Sequence, residues 1–350
     1  MKSWMLYGAY GFTGRLIAQE AISRGHSPVL AGRDAEKLIH IAEDLNLEYI
    51  VLDLKDENAI ISVIEPFDLV FHSAGPFKFT SAPMVQACLK TNTNYLDITG
   101  EIPVFEQNFE FNNQAIEKEI AIISGVGFDV VPTDCLAKYV SDKIENPISL
   151  ELGITAMSNP SPGTLKTMLE HYNIGQLVRR NGKLMTLQQD EFKKVRFSDK
   201  ERTVRPVTWG DLSTAYRTTG IPNITTYFPL PKKFPNLLES IGTSAEEMLN
   251  NEELKKKVYK WIEENIQGPN KITQQTSRCY IWASVRNDEG IEEQAWLETS
   301  ESYRFTAISG VKSVEKVFNL NPKGALTPAL AFGADFVHEI PKTERIDAIN

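Results

Sequence analysis

The chain has 350 residues, a length that favours two domains over one oversized core or three small ones. Its composition, 42% hydrophobic and 24% charged with 21 Gly and 18 Pro, excludes disordered, collagenous and coiled-coil classes. With 37 basic against 46 acidic side chains the formal net charge is −9, which repels phosphate backbones and anionic lipid heads, so no nucleic-acid partner is expected.

Only Met1 and Lys2 precede the first strand-like run, and no uncharged run approaches the roughly 18 residues that cross a bilayer. We expect no signal peptide, no membrane span and a cytoplasmic protein. Over the first 125 residues short apolar runs alternate with amphipathic stretches, the rhythm of βαβ units. Strands are predicted at 4–7, 28–31, 49–52, 69–72, 95–98 and 120–124, and helices near 14–24, 35–45, 56–64, 81–91 and 104–118. Six strands with five crossovers predict an α/β fold, a doubly wound parallel (Rossmann) sheet, which takes ligands beyond the carboxyl ends of its strands.

Past residue 146 the pattern changes. Ile148, Leu150, Leu152, Ile154 and Ala156 alternate with other residues, as a strand buried on one face requires. A second alternation, Cys279, Ile281, Ala283 and Val285, passes through Asn287-Asp288-Glu289-Gly290 into 291–299 and predicts an antiparallel hairpin. Helices are predicted over 163–180 and 252–266, the latter with Leu254, Val258, Trp261 and Ile262 on one face, while 206–235 is too irregular to assign. The expected division is 1–145 for the Rossmann domain and 146–320 for an α+β substrate or oligomerisation domain with a mixed or antiparallel sheet.

The first strand runs into Gly8-Ala9-Tyr10-Gly11-Phe12-Thr13-Gly14 and at once into helical sequence. The glycines suit a tight turn, close backbone approach to a pyrophosphate and close packing of helix on strand, with the helix amino end towards the phosphates. A glycine turn also occurs without any ligand, but here the strand before and the helix after are both present. The second strand ends at Arg33, with Lys37 one turn into the next helix. An arginine there matches a 2′-phosphate, so NADP (NADPH) is the expected cofactor, and Asp34 is read as a helix cap or a ribose contact. The fourth strand ends in His72-Ser73-Ala74-Gly75-Pro76, with Ser73, Ala74, Gly75 and Pro76 small enough to border the nicotinamide ribose. His72 is read as a packed structural group ahead of a general acid. Three separated cysteines and five histidines without ligand spacing predict no metal.

These motifs, with Leu30-Ala31-Gly32-Arg33, Ala74-Gly75-Pro76-Phe77, Tyr95-Leu96-Asp97-Ile98-Thr99-Gly100-Glu101 and Gly127-Phe128-Asp129-Val130-Val131-Pro132-Thr133-Asp134, resemble the saccharopine dehydrogenase-like oxidoreductases. The nearer branch is the one with trans-acting enoyl reductases, since no dicarboxylate-reading arginine set maps onto this chain. The resemblance covers the first 140 residues and resumes at Ser161-Pro162-Gly163-Thr164 and over 324–333. It implies an NADP-binding domain, a mixed second domain, and a carboxy-terminal segment, 321–350, whose helix near 328–338 returns to the first domain. The implied activity is NADP-dependent hydride transfer to a conjugated acyl (enoyl) or related small-molecule substrate between the domains.

With hydride supplied by a cofactor, the protein must orient substrate and place a proton donor. Asp97, Thr99 and Glu101 follow the fifth strand, and Asp129 and Asp134 the sixth. Of these, Glu101 and Asp129 are the catalytic candidates, against the ordinary role of bonding their own loops, and Asp134 is read as a helix cap. Tyr139 and Lys143, with Ser124 upstream, imitate the catalytic set of short-chain dehydrogenases and define an alternative carbonyl reductase. A silent NADP(H)-binding regulator is a further alternative. Gly163-Thr164 is read as a capped helix start or a substrate anion site, and Trp282 and Trp296 as sheet packing. A homodimer stays open.

Overall fold

The computed structural model describes residues 2–155, 158–170, 175–189, 191–229 and 250–349. Its first layer is a seven-stranded parallel sheet in the order β15-β6-β5-β4-β1-β2-β3. The strands are β1 (Trp4–Tyr7), β2 (Val29–Gly32), β3 (Tyr49–Val51), β4 (Leu69–His72), β5 (Asn94–Asp97), β6 (Ala121–Ile123) and β15 (Gly324–Leu326). The first six fall within one residue of their predicted ends. All four residues of β1 and of β4 are buried, because central parallel strands are covered on both faces.

The crossovers are α1 (Phe12–Ser23), α2 (Ala35–Leu45), α3 (Glu57–Ile64), α4 (Phe77–Thr91), and the pair α5 (Ile102–Glu110) and α6 (Asn112–Glu117), which divides the single helix expected at 104–118. The chain then enters α7 (Val131–Ser141) and a second, mixed sheet in the order β10-β11-β12-β7-β13-β14-β16, with β8 beside β12 and β9 beside β8. Its strands are β7 (Pro147–Ile154), β8 (Leu177–Arg180), β9 (Lys183–Thr186), β10 (Lys193–Arg196), β11 (Glu201–Pro206), β12 (Asn223–Pro229), β13 (Arg278–Asn287), β14 (Glu292–Ser300) and β16 (Glu344–Ile346). The predicted hairpin is present, with Trp282 opposite Trp296. Leu150, Leu152, Ile154, Ile281, Ala283 and Val285 bury one face against Val131, Cys135 and Leu136 of α7.

Several expectations change. The helix predicted over 163–180 is α8 (Pro162–Glu170) alone; residues 171–174 lie outside the described residues, and 177–180 are strand β8. Ala156, at the end of the first alternation, and 230–235 also lie outside the described residues. The segment left unassigned holds α9 (Asp211–Thr219) and β12. The helix expected at 252–266 is α10 (Glu252–Asn265), and a short α11 (Lys271–Thr276) follows it.

At the carboxy-terminal end the long helix that lies on the first layer is α12 (Ser302–Leu320), and Ala331 and Phe332 of the expected 328–338 segment pack against the same core. Ala307, Val311, Val314 and Val317 of α12 share a core with Ile17, Ala18 and Ala21 of α1. Gly310 permits this approach, since a Cβ there would stand 2.8 Å from the Phe71 ring. Beyond β15, α13 (Pro328–Phe332) and a 3₁₀ turn (Ala334–Glu339) bury Ala329, Phe336 and Val337 in the core of the second sheet.

Candidate functional site

The sheet order reverses between β1 and β4, which run side by side with Tyr7 opposite His72. Gly8 leaves β1 with φ +88°, and a Cβ on it would meet Ala74 at 2.8 Å. Gly11 N–H donates to Gly8 O at 3.0 Å, closing the turn. Gly11 is the N-cap of α1 and supplies no side-chain bond, and the first turn carries no acidic residue. The leading amides of α1, those of Phe12, Thr13 and Gly14, therefore face outward with the positive end of the helix behind them. Ser73 donates from both N–H (2.8 Å) and Oγ (2.9 Å) to Tyr7 O, and Thr80 Oγ1 donates to Ala74 O at 2.7 Å, fixing the second lip of the crevice.

At the end of β2 the Tyr10 ring covers Gly32, where a Cβ would sit 2.4 Å from Cε1. Asp34 accepts the Lys37 amide at 3.2 Å and so caps α2. Arg33 is exposed, and among the described residues it has no hydrogen bond or ion pair. It lines a cleft of about 420 Å³ with Gly75, Pro76, Lys166, Glu170 and Lys255. The far wall of this cleft, α8 and α10, comes from the second part of the chain. Glu170, with 4% of its side chain exposed, holds Lys78 (2.6 Å) and Lys255 (2.5 Å) and accepts the Tyr259 hydroxyl. Partial burial pushes its carboxyl up, but these bonds outweigh burial and hold it at about 2.

The floor is made by the ends of β4, β5 and β6. Asp97 is buried and bridges two strand ends: Oδ1 accepts Thr99 N and Gly125 N, each at 3.0 Å, and Oδ2 accepts the Ser124 hydroxyl at 2.9 Å. Burial nevertheless raises its carboxyl to about 6. Glu101 accepts the amides of Phe77 (2.7 Å) and Lys78 (2.9 Å), so both its oxygens tie the start of α4 to the end of β5. Burial raises its carboxyl, against those two bonds.

Asp129 differs from both: its Oδ1 is buried without a hydrogen-bond partner among the described residues, and burial raises its carboxyl to about 7. It touches Gly100, where a Cβ would lie 2.8 Å from Oδ2, while a Cβ on Gly210 would lie 3.2 Å from Gly100 O. Gly100, Asp129 and the buried Gly210 thus pack closely together, from the end of β5 to the start of α9. Asp211, beside Gly210, is fully buried, and burial, joined by the charges of Asp134 and Asp129, pushes its carboxyl well above the usual range against the Thr133 hydroxyl. Sequence reasoning passed over Asp211, because its segment carried no readable period.

Residues 4–123 match the saccharopine dehydrogenase NADP binding domain. A saccharopine dehydrogenase-like oxidoreductase of Bos taurus is 27% identical over 177 residues, and the trans-acting enoyl reductase of Mycobacterium leprae is 34% identical over 140. Those matches take in 45% and 37% of this chain but only 41% and 33% of the relatives, so well under two thirds of either relative is spanned. The fold of saccharopine dehydrogenase (L-Glu forming) from Saccharomyces cerevisiae covers 99% of this chain and all of its own, at a TM-score of 0.66 and 14% identity.

The amino-terminal segment fits a nicotinamide dinucleotide. It offers uncapped amides at a helix start, a crevice lined by Gly8, Ser73, Ala74 and Gly75, and, just past β2, a guanidinium with no hydrogen bond or ion pair among the described residues. The remaining candidates are engaged elsewhere. His72 is buried among Tyr7, Phe77 and Tyr95 with Nδ1 3.0 Å from the Tyr95 hydroxyl, and burial lowers it to about 3, so it is neutral. Asp134 accepts Thr218 Oγ1 (2.5 Å) and Ala329 N (2.8 Å), so it holds the first turn of α13, whose cap is Thr327, and does not cap α7. Tyr139 Oη and Lys143 Nζ both reach Asp347 Oδ1 at 2.7 Å, and the Arg345 guanidinium lies over the Tyr139 ring, so this pair anchors the carboxy-terminal tail. The start of α8 is capped internally, with Thr164 N donating to Ser161 Oγ at 3.3 Å. Trp282 and Trp296 are buried against Val195, Phe197 and Val204. No described helix is long and apolar enough to cross a membrane.

Proposed function

We propose that the protein is an NADP-dependent oxidoreductase that reduces a conjugated acyl (enoyl) small molecule beside Gly100 and Asp129, after the fifth and sixth strands. Asp129 carries this reading: in a half-buried residue its Oδ1 is buried with no hydrogen-bond partner among the described residues, its carboxyl is raised to about 7, and it follows the sixth strand of the sheet that carries the glycine turn. The relatives named saccharopine dehydrogenase-like oxidoreductase and trans-acting enoyl reductase support the class of chemistry.

Gly8, Gly11 and the amides of Phe12, Thr13 and Gly14 receive the pyrophosphate. Tyr10, Arg33 and Lys37 border the adenosine ribose and its 2′-phosphate, with Asp34 retained as a helix cap. Ser73, Ala74, Gly75 and Pro76 border the nicotinamide ribose. When bound, the reduced cofactor supplies a hydride to the β carbon of the conjugated bond. Asp129 gives its proton to the α carbon, so that one hydride and one proton saturate the bond, and it recovers a proton from solvent. Glu101 acts by position, holding the start of α4 and with it Gly75 and Pro76 against the crevice. The two parts of the chain form the wall and floor that exclude water.

The test is NADPH oxidation by the full chain with enoyl thioesters, beside carbonyl and imine compounds. Turnover of the enoyl set supports the proposal. Tight NADPH binding with no turnover of any set would favour a nucleotide-binding regulator.

A further inference from the structure

The cleft beside Arg33 contains a second ion pair, separate from the strand-end floor. Lys166 of α8 donates to Glu263 of α10 at 2.5 Å, and the Lys166 side chain is only 14% exposed. Partial burial pushes the Glu263 carboxyl up, but the Lys166 bond first, and then the charges of Lys37 and Arg33, hold it below its ordinary value. Arg33 follows β2 and Lys37 lies in the first turn of α2, whereas Lys166 comes from the second part of the chain, where Leu165, Leu169, Val258 and Ile262 pack α8 on α10 independently of the ion pair. Arg33 and Lys166 line the same cleft.

We propose that Lys166 completes the 2′-phosphate site across the cleft from Arg33, and that Glu263 competes with that phosphate for Lys166. The proposal rests on the NADP reading given above. A phosphate monoester carries more negative charge than one carboxylate and offers three acceptor oxygens to a lysine and a guanidinium at once. Its arrival therefore exchanges one partner of Lys166 for a stronger one without leaving an ammonium unpaired. Because Lys166 belongs to α8, the 2′-phosphate draws the α8–α10 wall onto the dinucleotide, whereas a cofactor with a free 2′-hydroxyl leaves Lys166 on Glu263. Selectivity between the two cofactors then comes from both parts of the chain.

Opposite effects of two substitutions that break the same ion pair test this. Calorimetric titration of the full chain with NADP+ and NAD+ is carried out on the wild type, Lys166→Gln and Glu263→Gln. The expected result is a wild type that prefers NADP+, a loss of NADP+ affinity of about tenfold in Lys166→Gln, a gain of a few-fold in Glu263→Gln, and unchanged NAD+ affinity in both. Equal weakening of NADP+ by both variants would mean that the pair only fastens α8 to α10 and would overturn the proposal. So would a Lys166→Gln variant with undiminished preference. A wild type that binds both cofactors equally sinks the NADP reading itself, whereas a preference lost in Arg33→Ala but kept in Lys166→Gln sinks this inference alone.

Discussion

A Cβ on Gly14 would lie 2.3 Å from the carbonyl oxygen of Gly8. A Cβ on Gly11, three residues earlier, meets only that same oxygen, at 3.2 Å, and no side chain within 4 Å. The two glycines of one turn therefore serve different ends. Gly14 lets α1 lie against the strand–turn backbone, and Gly11 keeps the outer surface of the turn free for a ligand. Gly14→Ala is expected to destabilise the fold by about 1–3 kcal/mol, lowering Tm by several degrees. Gly11→Ala is expected to leave Tm close to the wild type and to weaken NADPH binding at least tenfold. Thermal melts with and without NADPH separate the two, and equal melting temperatures for both variants would contradict the division.

Arg33 is predicted to discriminate between cofactors. Its guanidinium has no hydrogen bond or ion pair among the described residues, and Asp34 beside it is occupied as the cap of α2. A charge-assisted bond contributes roughly 1.5–3 kcal/mol, so Arg33→Ala should lower NADP+ affinity tenfold or more and leave NAD+ affinity within about twofold. Titration of both cofactors checks this, and a parallel loss for both would assign Arg33 a structural role.

The first sheet was legible because each buried parallel strand is a short apolar run bounded by helical periodicity, and strands 4–7 and 69–72 were read to the residue. The second part was legible where a strand alternates, as in β7, β13 and β14, and where a helix has a clear apolar face, as in α10. In β8, Val178 and Arg179 are both buried, and Arg179 is satisfied by the Glu106 carboxylate (2.6 Å) and the Leu212 carbonyl (2.5 Å), so no alternation marks the strand. The cofactor turn was readable because its chemistry is local. The cleft wall was not: Lys78, Glu170 and Lys255 are brought together from three distant segments, and none carries a motif. Glu101 and Asp129 had equal claims as acids after strands, and only the two amides bonded to Glu101 distinguish them.

The Glu170 cluster predicts a specific pH dependence of stability. A carboxyl held at about 2 in the folded chain, against an ordinary 4.5, contributes stability that is fully present above about pH 4.5. That contribution is lost as pH falls through the window from 4.5 towards 2. Glu170→Gln should lower stability at neutral pH, because Lys78 and Lys255 are left to repel each other, and should flatten the stability curve within that window by up to one proton. Urea unfolding from neutrality down to about pH 3 measures both effects. A variant whose slope matches the wild type would show that the two ion pairs contribute nothing to folding.

The last prediction opposes the two candidate proton donors. Asp129 has an oxygen with no hydrogen-bond partner among the described residues and a carboxyl at about 7, whereas the Tyr139 hydroxyl is committed to Asp347 under the Arg345 guanidinium. If Asp129 supplies the proton, it must be in its acid form, so turnover with saturating NADPH should be high below about pH 7 and fall as pH rises through that value. Asp129→Asn removes the transferable proton while keeping the shape, and loss of a proton donor typically costs roughly 100- to 10,000-fold in turnover. NADPH affinity in Asp129→Asn should stay within a few-fold of the wild type, because the crevice that receives the cofactor is built from other residues. Tyr139→Phe deletes one hydrogen bond to the carboxy-terminal tail and should lower Tm slightly with no change in the pH profile. Steady-state rates across pH for both variants decide the assignment. A collapse of turnover in Tyr139→Phe beside an unaffected Asp129→Asn would move the chemistry to α7 and favour a carbonyl reductase of the short-chain dehydrogenase kind.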